Sequence, residues 1–176
     1  MKKILAFGAS NSRASINKKL ASWAAAQIKN AEVNLLDLND FEMPIFSIDR
    51  ENENGIPGEA KRFKSLIESC DGIVVSFAEH NGSYSAAFKN IMDWASRLEG
   101  KIWTDKPMFL LATSPGARGG ATVLQSAAGS FPFNGGKVAG VFALPKFHEN
   151  FSPEGGILDA ALRAKFAEEL AVFEQT

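Results

Sequence analysis

Short, mostly apolar runs alternate along the chain with longer segments in which apolar residues recur every three or four positions. The runs are Ile4 to Phe7, Val33 to Leu38, Ile73 to Ala78, Met108 to Thr113 and Lys137 to Phe142. Runs of this length suit strands, and those without polar alternation suit strands buried on both faces of a parallel sheet. Ile16, Leu20, Trp23, Ala24 and Ile28 form one helical stripe. Phe63, Leu66, Ile67 and Cys70 form a second, and Phe88, Ile91, Met92, Ala95 and Leu98 a third. An Ala- and Ser-rich helix is expected from about Ala121 to Ala128, and a last one lined by Leu158, Leu162, Phe166, Leu170 and Phe173.

Punctuation agrees with this division. Asn30 ends the first helix, Pro57 opens the second, and Asp71-Gly72 stops it. Residues 39–58 read as irregular, with an apolar patch at Met43-Pro44-Ile45-Phe46 and a charged, solvated tip from Asp49 to Gly55. A connection this long is either functional, interfacial or a cover for the sheet edge. Alternating strands and helices imply a parallel sheet with helices on both faces and right-handed crossovers. With strand order 2-1-3-4-5, the first and third strands flank the switch point, where ligands of such sheets bind.

Three polar loops follow the first, third and fourth strands: Gly8 to Asn17, Glu79 to Tyr84 and Ser114 to Gly120. All three converge on one crevice in that order of strands. The first crowds Ser10, Ser12, Ser15, Asn17 and Arg13 around a helix start, where unpaired backbone amides and a partial positive charge favour a phosphate. Ser15 also suits an ordinary helix cap, but a cap leaves Ser10 and Ser12 unexplained. The loop lacks the later glycines of a dinucleotide fingerprint and the Gly-Lys-Ser/Thr of an ATP or GTP loop. It also lacks the final glycine of a nucleophile elbow, and only His80 and His148 could serve such a serine.

Composition narrows the classes further. The 176 residues suffice for a single domain, residues 1–176, and 45% hydrophobic with 22% charged residues is ordinary for a globular chain. A net charge of −1 gives no electrostatic reason to expect nucleic acid or an anionic membrane as partner. No apolar run approaches the roughly 20 residues of a membrane span, and no cleavable leader is visible. The lone Cys70 forbids an internal disulfide and fits a reducing, cytoplasmic setting. No spacing suits a metal centre.

The loops together resemble the NADPH-dependent FMN reductase family, of flavodoxin-like fold, whose members include azo, quinone and chromate reductases. Ala9-Ser10-Asn11-Ser12-Arg13-Ala14-Ser15-Ile16-Asn17 is similar to the family's Gly-Ser-x-Arg-x-x-Ser-x-Asn loop. Ser12 stands at the usual arginine position and Arg13 one residue later, which leaves open which of the two touches the phosphate. Ala78-Glu79-His80-Asn81-Gly82-Ser83, followed by Phe88-Lys89-Asn90-Ile91-Met92-Asp93-Trp94, resembles the Pro-Glu-Tyr-Asn-Gly-Ser segment and its helix. Ala78 replaces the usual proline and His80 the usual tyrosine. Ser114-Pro115-Gly116-Ala117-Arg118-Gly119-Gly120 follows the family as well.

The resemblance implies a three-layer α/β sandwich with a five-stranded parallel sheet. It implies FMN as cofactor, NADPH or NADH as hydride donor, and a small acceptor such as a quinone, azo compound or metal oxyanion. Ser10, Ser12, Ser15, Ile16 and Asn17, with Arg13 as a further candidate, would surround the FMN phosphate. Glu79, His80, Asn81 and Gly82 would border the ring, with Ser114, Gly116 and Gly119 on its other side. His80 is either a packing substitute or a group that hydrogen-bonds or titrates beside the flavin. Lys89, Asn90, Asp93 and Trp94 would hold the second loop or form a subunit contact. Trp103 is expected in packing or an interface. No side chain is assigned as acid or base, since the flavin carries the chemistry. A homodimer or homotetramer is implied. The alternative is an FMN-binding electron carrier or redox sensor without nicotinamide activity.

Overall fold

The computed structural model describes residues 1–176. A five-stranded parallel sheet forms the middle layer, in the order β2-β1-β3-β4-β5. The strands are β1 (Lys2–Ala9), β2 (Ala31–Leu36), β3 (Gly72–Phe77), β4 (Pro107–Thr113) and β5 (Lys137–Leu144). Every residue of β3 is buried, as are the last six of β4, which is why these runs carry no alternation. β2 and β5 lie at the sheet edges and are only partly covered.

Two cores, one per sheet face, hold the layers together. One face packs α1 (Ile16–Ala26) and α7 (Ala160–Glu174) through Leu20, Ala24, Phe166, Leu170 and Phe173. The other packs α3 (Gly58–Ser69), α4 (Ala86–Ala95) and α5 (Ala121–Ser130) through Phe63, Ile67, Phe88, Trp94 and Leu124. Trp103 lies wholly inside this second core, stacked on Phe131 at 4.7 Å between ring centroids. Cys70 is buried at the end of α3, where burial pushes its thiol pKa up.

Several boundaries differ from the expectation. Val33 to Leu38 is not one strand. β2 stops at Leu36, and Asp37 caps a short 3-10 helix, Leu38–Phe41, by accepting from Asn39 N at 2.9 Å. The expected solvated tip from Asp49 to Gly55 is mostly a helix, α2 (Ile48–Asn54), capped by Ser47. Leu158 does not line the last helix. It precedes α7 and is exposed, and Asp159 caps the helix instead. Between β5 and α7 the chain also forms α6 (Phe147–Asn150) and a small antiparallel pair, β6 (Phe151–Ser152) with β7 (Gly156–Ile157).

Asn90 and Trp94 are tied to a different segment from the one expected. Trp94 Nε1 donates to Pro44 O at 2.7 Å, and Asn90 Nδ2 donates to Met43 O and Pro44 O. Asn90 Oδ1 accepts from Phe46 N at 2.8 Å. The helix therefore clamps the Met43–Phe46 strap rather than the second polar loop. Lys89 and Asp93 face solvent and pair with each other across one helical turn.

Candidate functional site

The site is built on close contact between β1 and α1. A Cβ at Gly8 would lie 2.3 Å from Lys18 N, so any side chain there would push the helix off the sheet. Ser15 caps α1, its Oγ accepting from Lys18 N at 3.1 Å. The amides of Ile16 and Asn17, first and second in the helix, find no acceptor within the chain. Just upstream, Ser10 Oγ accepts from Ser12 N at 3.1 Å, which folds the loop and leaves the Ser10 hydroxyl hydrogen free to donate.

Asn17 joins this loop to the rest of the site. Its Oδ1 accepts from Thr113 N at 3.0 Å and from Ser76 Oγ at 2.7 Å, and its Nδ2 donates to Thr113 O at 3.1 Å. One buried amide thus links α1 to the carboxyl ends of β3 and β4. Ser85 makes a parallel link, donating to Ala9 O at 2.8 Å while capping α4.

The second loop is a tight reversal. His80 N donates to Ser83 O at 2.9 Å and Ser83 N to His80 O at 3.1 Å. Asn81 and Gly82 both take left-handed backbone, φ 52° and 73°, as a type I′ turn requires. Glu79 anchors the loop from below. Its Oε2 accepts from Val123 N at 2.9 Å, capping α5, whose own N-cap Gly120 offers no side chain. A carboxylate is favourable at a helix N-terminus. The third loop is tied to the end of β5. Gly116 O accepts from Lys146 N at 2.9 Å and Ser114 O from Phe147 N at 3.0 Å. Gly119, at φ 58°, lies so close to Leu144 that a Cβ would fall 2.7 Å from its carbonyl.

These loops enclose a cleft of about 280 Å³. Ser10, Ser12, Ser15, Ile16, Asn17, Glu79, His80 and Ser114 of the expected residues line it. Asn81, Gly82, Gly116 and Gly119 do not: the first two form the turn behind His80, and the glycines of the third loop shape its backbone. Arg13 is turned away and lines a separate groove along α1. The cleft also takes in Ala14, Ala78, Thr113 and Pro115, none of which was among the expected site residues. Thr113 ends β4 beside the switch point, which was the available signal. No group of three or more His, Cys, Asp and Glu side chains converges to hold a metal.

One ion pair braces the loop from behind. Lys18 Nζ meets Asp37 Oδ2 at 2.5 Å, joining α1 to the end of β2. The hydrogen bond from the Lys18 amine, with a further one from Asn39 N, holds the Asp37 carboxyl down at about 2.

An open parallel sheet in this order, with a polar cleft at its switch point and free amides at the first helix start, is the architecture of the flavodoxin-like α/β class. The model of the NADPH-dependent FMN reductase family matches residues 2–149, and the chain belongs to that family. Among curated relatives it is 34% identical over 110 residues to a 2-hydroxy-1,4-benzoquinone reductase of a Burkholderia species, covering 62% of this chain and 58% of the relative. It is 33% identical over 90 residues to a quinone reductase of Escherichia coli, covering 51% of this chain and 47% of the relative. The chain therefore matches about half the length of these curated relatives. A solved flavoenzyme NAD(P)H:acceptor oxidoreductase from Paracoccus denitrificans superposes with a TM-score of 0.81 at 25% identity, over 99% of this chain and 96% of that one.

Proposed function

We propose that residues 1–176 form one FMN-binding unit that takes a hydride from NAD(P)H and passes electrons to a small acceptor of the quinone or azo type. The observation that carries this reading is the pair of free amides at Ile16 and Asn17, opening with the Ser10 and Ser12 hydroxyls into a cleft bounded by the second and third loops. That donor set suits a phosphate monoester, and the cleft lining holds neither the lysine nor the glycine cradle that a triphosphate loop uses. The residues present therefore fit FMN.

In this reading Ser10, Ser12, Ser15, Ile16 and Asn17 hold the phosphate end, Ser15 and Asn17 chiefly by fixing the loop. His80 and Ser114 flank the ring. Glu79, Asn81, Gly82, Gly116 and Gly119 shape the backbone that receives it. Bound FMN supplies the redox chemistry, accepting a hydride and giving up electrons. The chain would orient cofactor and substrates, with the His80 reversal and Ser114 bordering the place the ring would take. The reading includes a homodimer or homotetramer, supported by the exposed apolar side chains Ile45 and Ile48. It also includes a cytoplasmic location, where reduced nicotinamide nucleotides are supplied. No helix is long and apolar enough to cross a membrane.

The test is the visible spectrum of the purified protein, followed by separate anaerobic additions of NADPH and NADH. Flavin bands that bleach to the two-electron reduced form are expected. Bound flavin that neither nucleotide reduces would identify a carrier or sensor. Failure to bind FMN would remove the reading altogether.

A further inference from the structure

A groove of about 510 Å³ runs along the outer side of α1, on the far side of the first loop from the cleft. Arg13, Lys18 and Lys19 line it together with Trp23, Leu35 and Phe151, and no carboxylate does. Lys18 is engaged by Asp37, whereas Arg13 and Lys19 form no ion pair. Two uncompensated cations thus stand above an aromatic wall.

That wall is built rather than incidental. Trp23 packs edge-on against Phe151 with ring centroids 5.9 Å apart, and against Phe166 at 4.9 Å. Phe151 in turn stacks on Phe147 at 4.8 Å. The β6–β7 pair closes directly on the indole: a Cβ at Gly156 would lie 2.3 Å from Trp23 Cε2. Ser15 lines the groove as well as the cleft, so the two are neighbours across one residue.

We propose that this groove receives the 2′-phosphoadenosine end of NADPH, with Arg13 and Lys19 meeting the 2′-phosphate and the Trp23–Phe151 wall receiving the adenine. The inference rests on the reductase reading above and extends it to the choice of donor. A 2′-phosphate is the one group that separates NADPH from NADH, and a guanidinium with an ammonium is the pair of side chains suited to it. The partly buried Trp23 supplies an aromatic surface for a purine, and its packing on Phe151 and Phe166 lowers the cost of ordering. Arg13 is then a donor-selecting residue, turned away from the cofactor phosphate that the loop's amides and hydroxyls already serve.

The test is calorimetric titration of the FMN-loaded protein with 2′,5′-ADP and, separately, with 5′-AMP. 2′,5′-ADP is expected to bind roughly tenfold more tightly. In the Arg13→Gln/Lys19→Gln variant that preference disappears, and the ratio of KM for NADPH to KM for NADH rises roughly tenfold. Equal binding of the two probes to the parent protein overturns the proposal. So does a variant in which both KM values move together, or in which FMN affinity falls, since Arg13 would then serve the cofactor phosphate. FMN binding and reduction in the parent protein report on the reductase reading independently of these results.

Discussion

Asn17 shows how much one side chain carries. Its amide is buried and makes hydrogen bonds to both backbone groups of Thr113 and to the Ser76 hydroxyl. Truncation leaves a buried N–H, C=O and O–H without partners, and such orphans cost more than the bonds themselves contributed. Asn17→Ala is expected to cost about 3 kcal/mol and lower the thermal midpoint by about 10 °C, read by calorimetry. FMN affinity should fall as well, because the Ile16 and Asn17 amides are aimed by this link. Asp37 makes a smaller, pH-dependent contribution. Its carboxyl is held at about 2 rather than 3.8, so the stabilisation is complete above the ordinary value and is lost as pH falls through about 2. Both side chains of the pair are about a third exposed, and solvent screening leaves about 1 kcal/mol. Denaturant titrations should show Asp37→Asn less stable by that amount at neutral pH, with the gap closing as pH drops to about 2.

At the scale of elements, the site depends on one helix capped by a residue from elsewhere. Helix α5 begins at a left-handed glycine and takes its cap from Glu79 on the second loop. Glu79→Ala should lower stability by about 1 kcal/mol and weaken FMN binding several-fold, because the His80 reversal loses its tether. Glu79→Gln keeps an acceptor oxygen and should retain most of both, as measured by denaturation and fluorescence titration. The Glu79 carboxylate was legible as part of a ligand loop, but its partner, Val123, is 44 residues away and leaves no local signal. The middle strands β1, β3 and β4 were legible because burial on both faces demands continuous apolar runs. α2 was not, since it buries no residue and so has no apolar stripe. The β6–β7 pair is too short for any period, and its position is set by aromatic packing on Trp23. The cleft loops were legible because their serines and glycines sit at strand ends. The direction of Arg13 was not, because adjacent residues entering a helix point to different sides.

For the whole molecule, the Met43–Phe46 strap bears on assembly. Asn90 and Trp94 clamp its backbone, Phe46 packs edge-on against Trp94 at 5.0 Å, and Arg97 lies over Phe46 while pairing with Glu51. A segment so fixed would ordinarily bury its apolar side chains, yet Ile45 is 75% exposed, and Ile48, at the start of the α2 helix that follows the strap, is 52% exposed. Holding two isoleucines rigidly in solvent gains nothing for a lone chain, whereas a preformed apolar knob suits a self-complementary contact across a two-fold axis. The same strap reaches the first loop, because Ile45 and Asn11 line one hollow beside α4. Ile45→Glu/Ile48→Glu is therefore expected to sediment as a monomer while keeping its circular dichroism spectrum and thermal midpoint. Its FMN affinity should fall, because the side of the first loop away from the groove loses its cover. An unchanged sedimentation coefficient would overturn the proposed two-fold contact. Dissociation with full FMN affinity would mean that assembly and cofactor binding are independent in this chain.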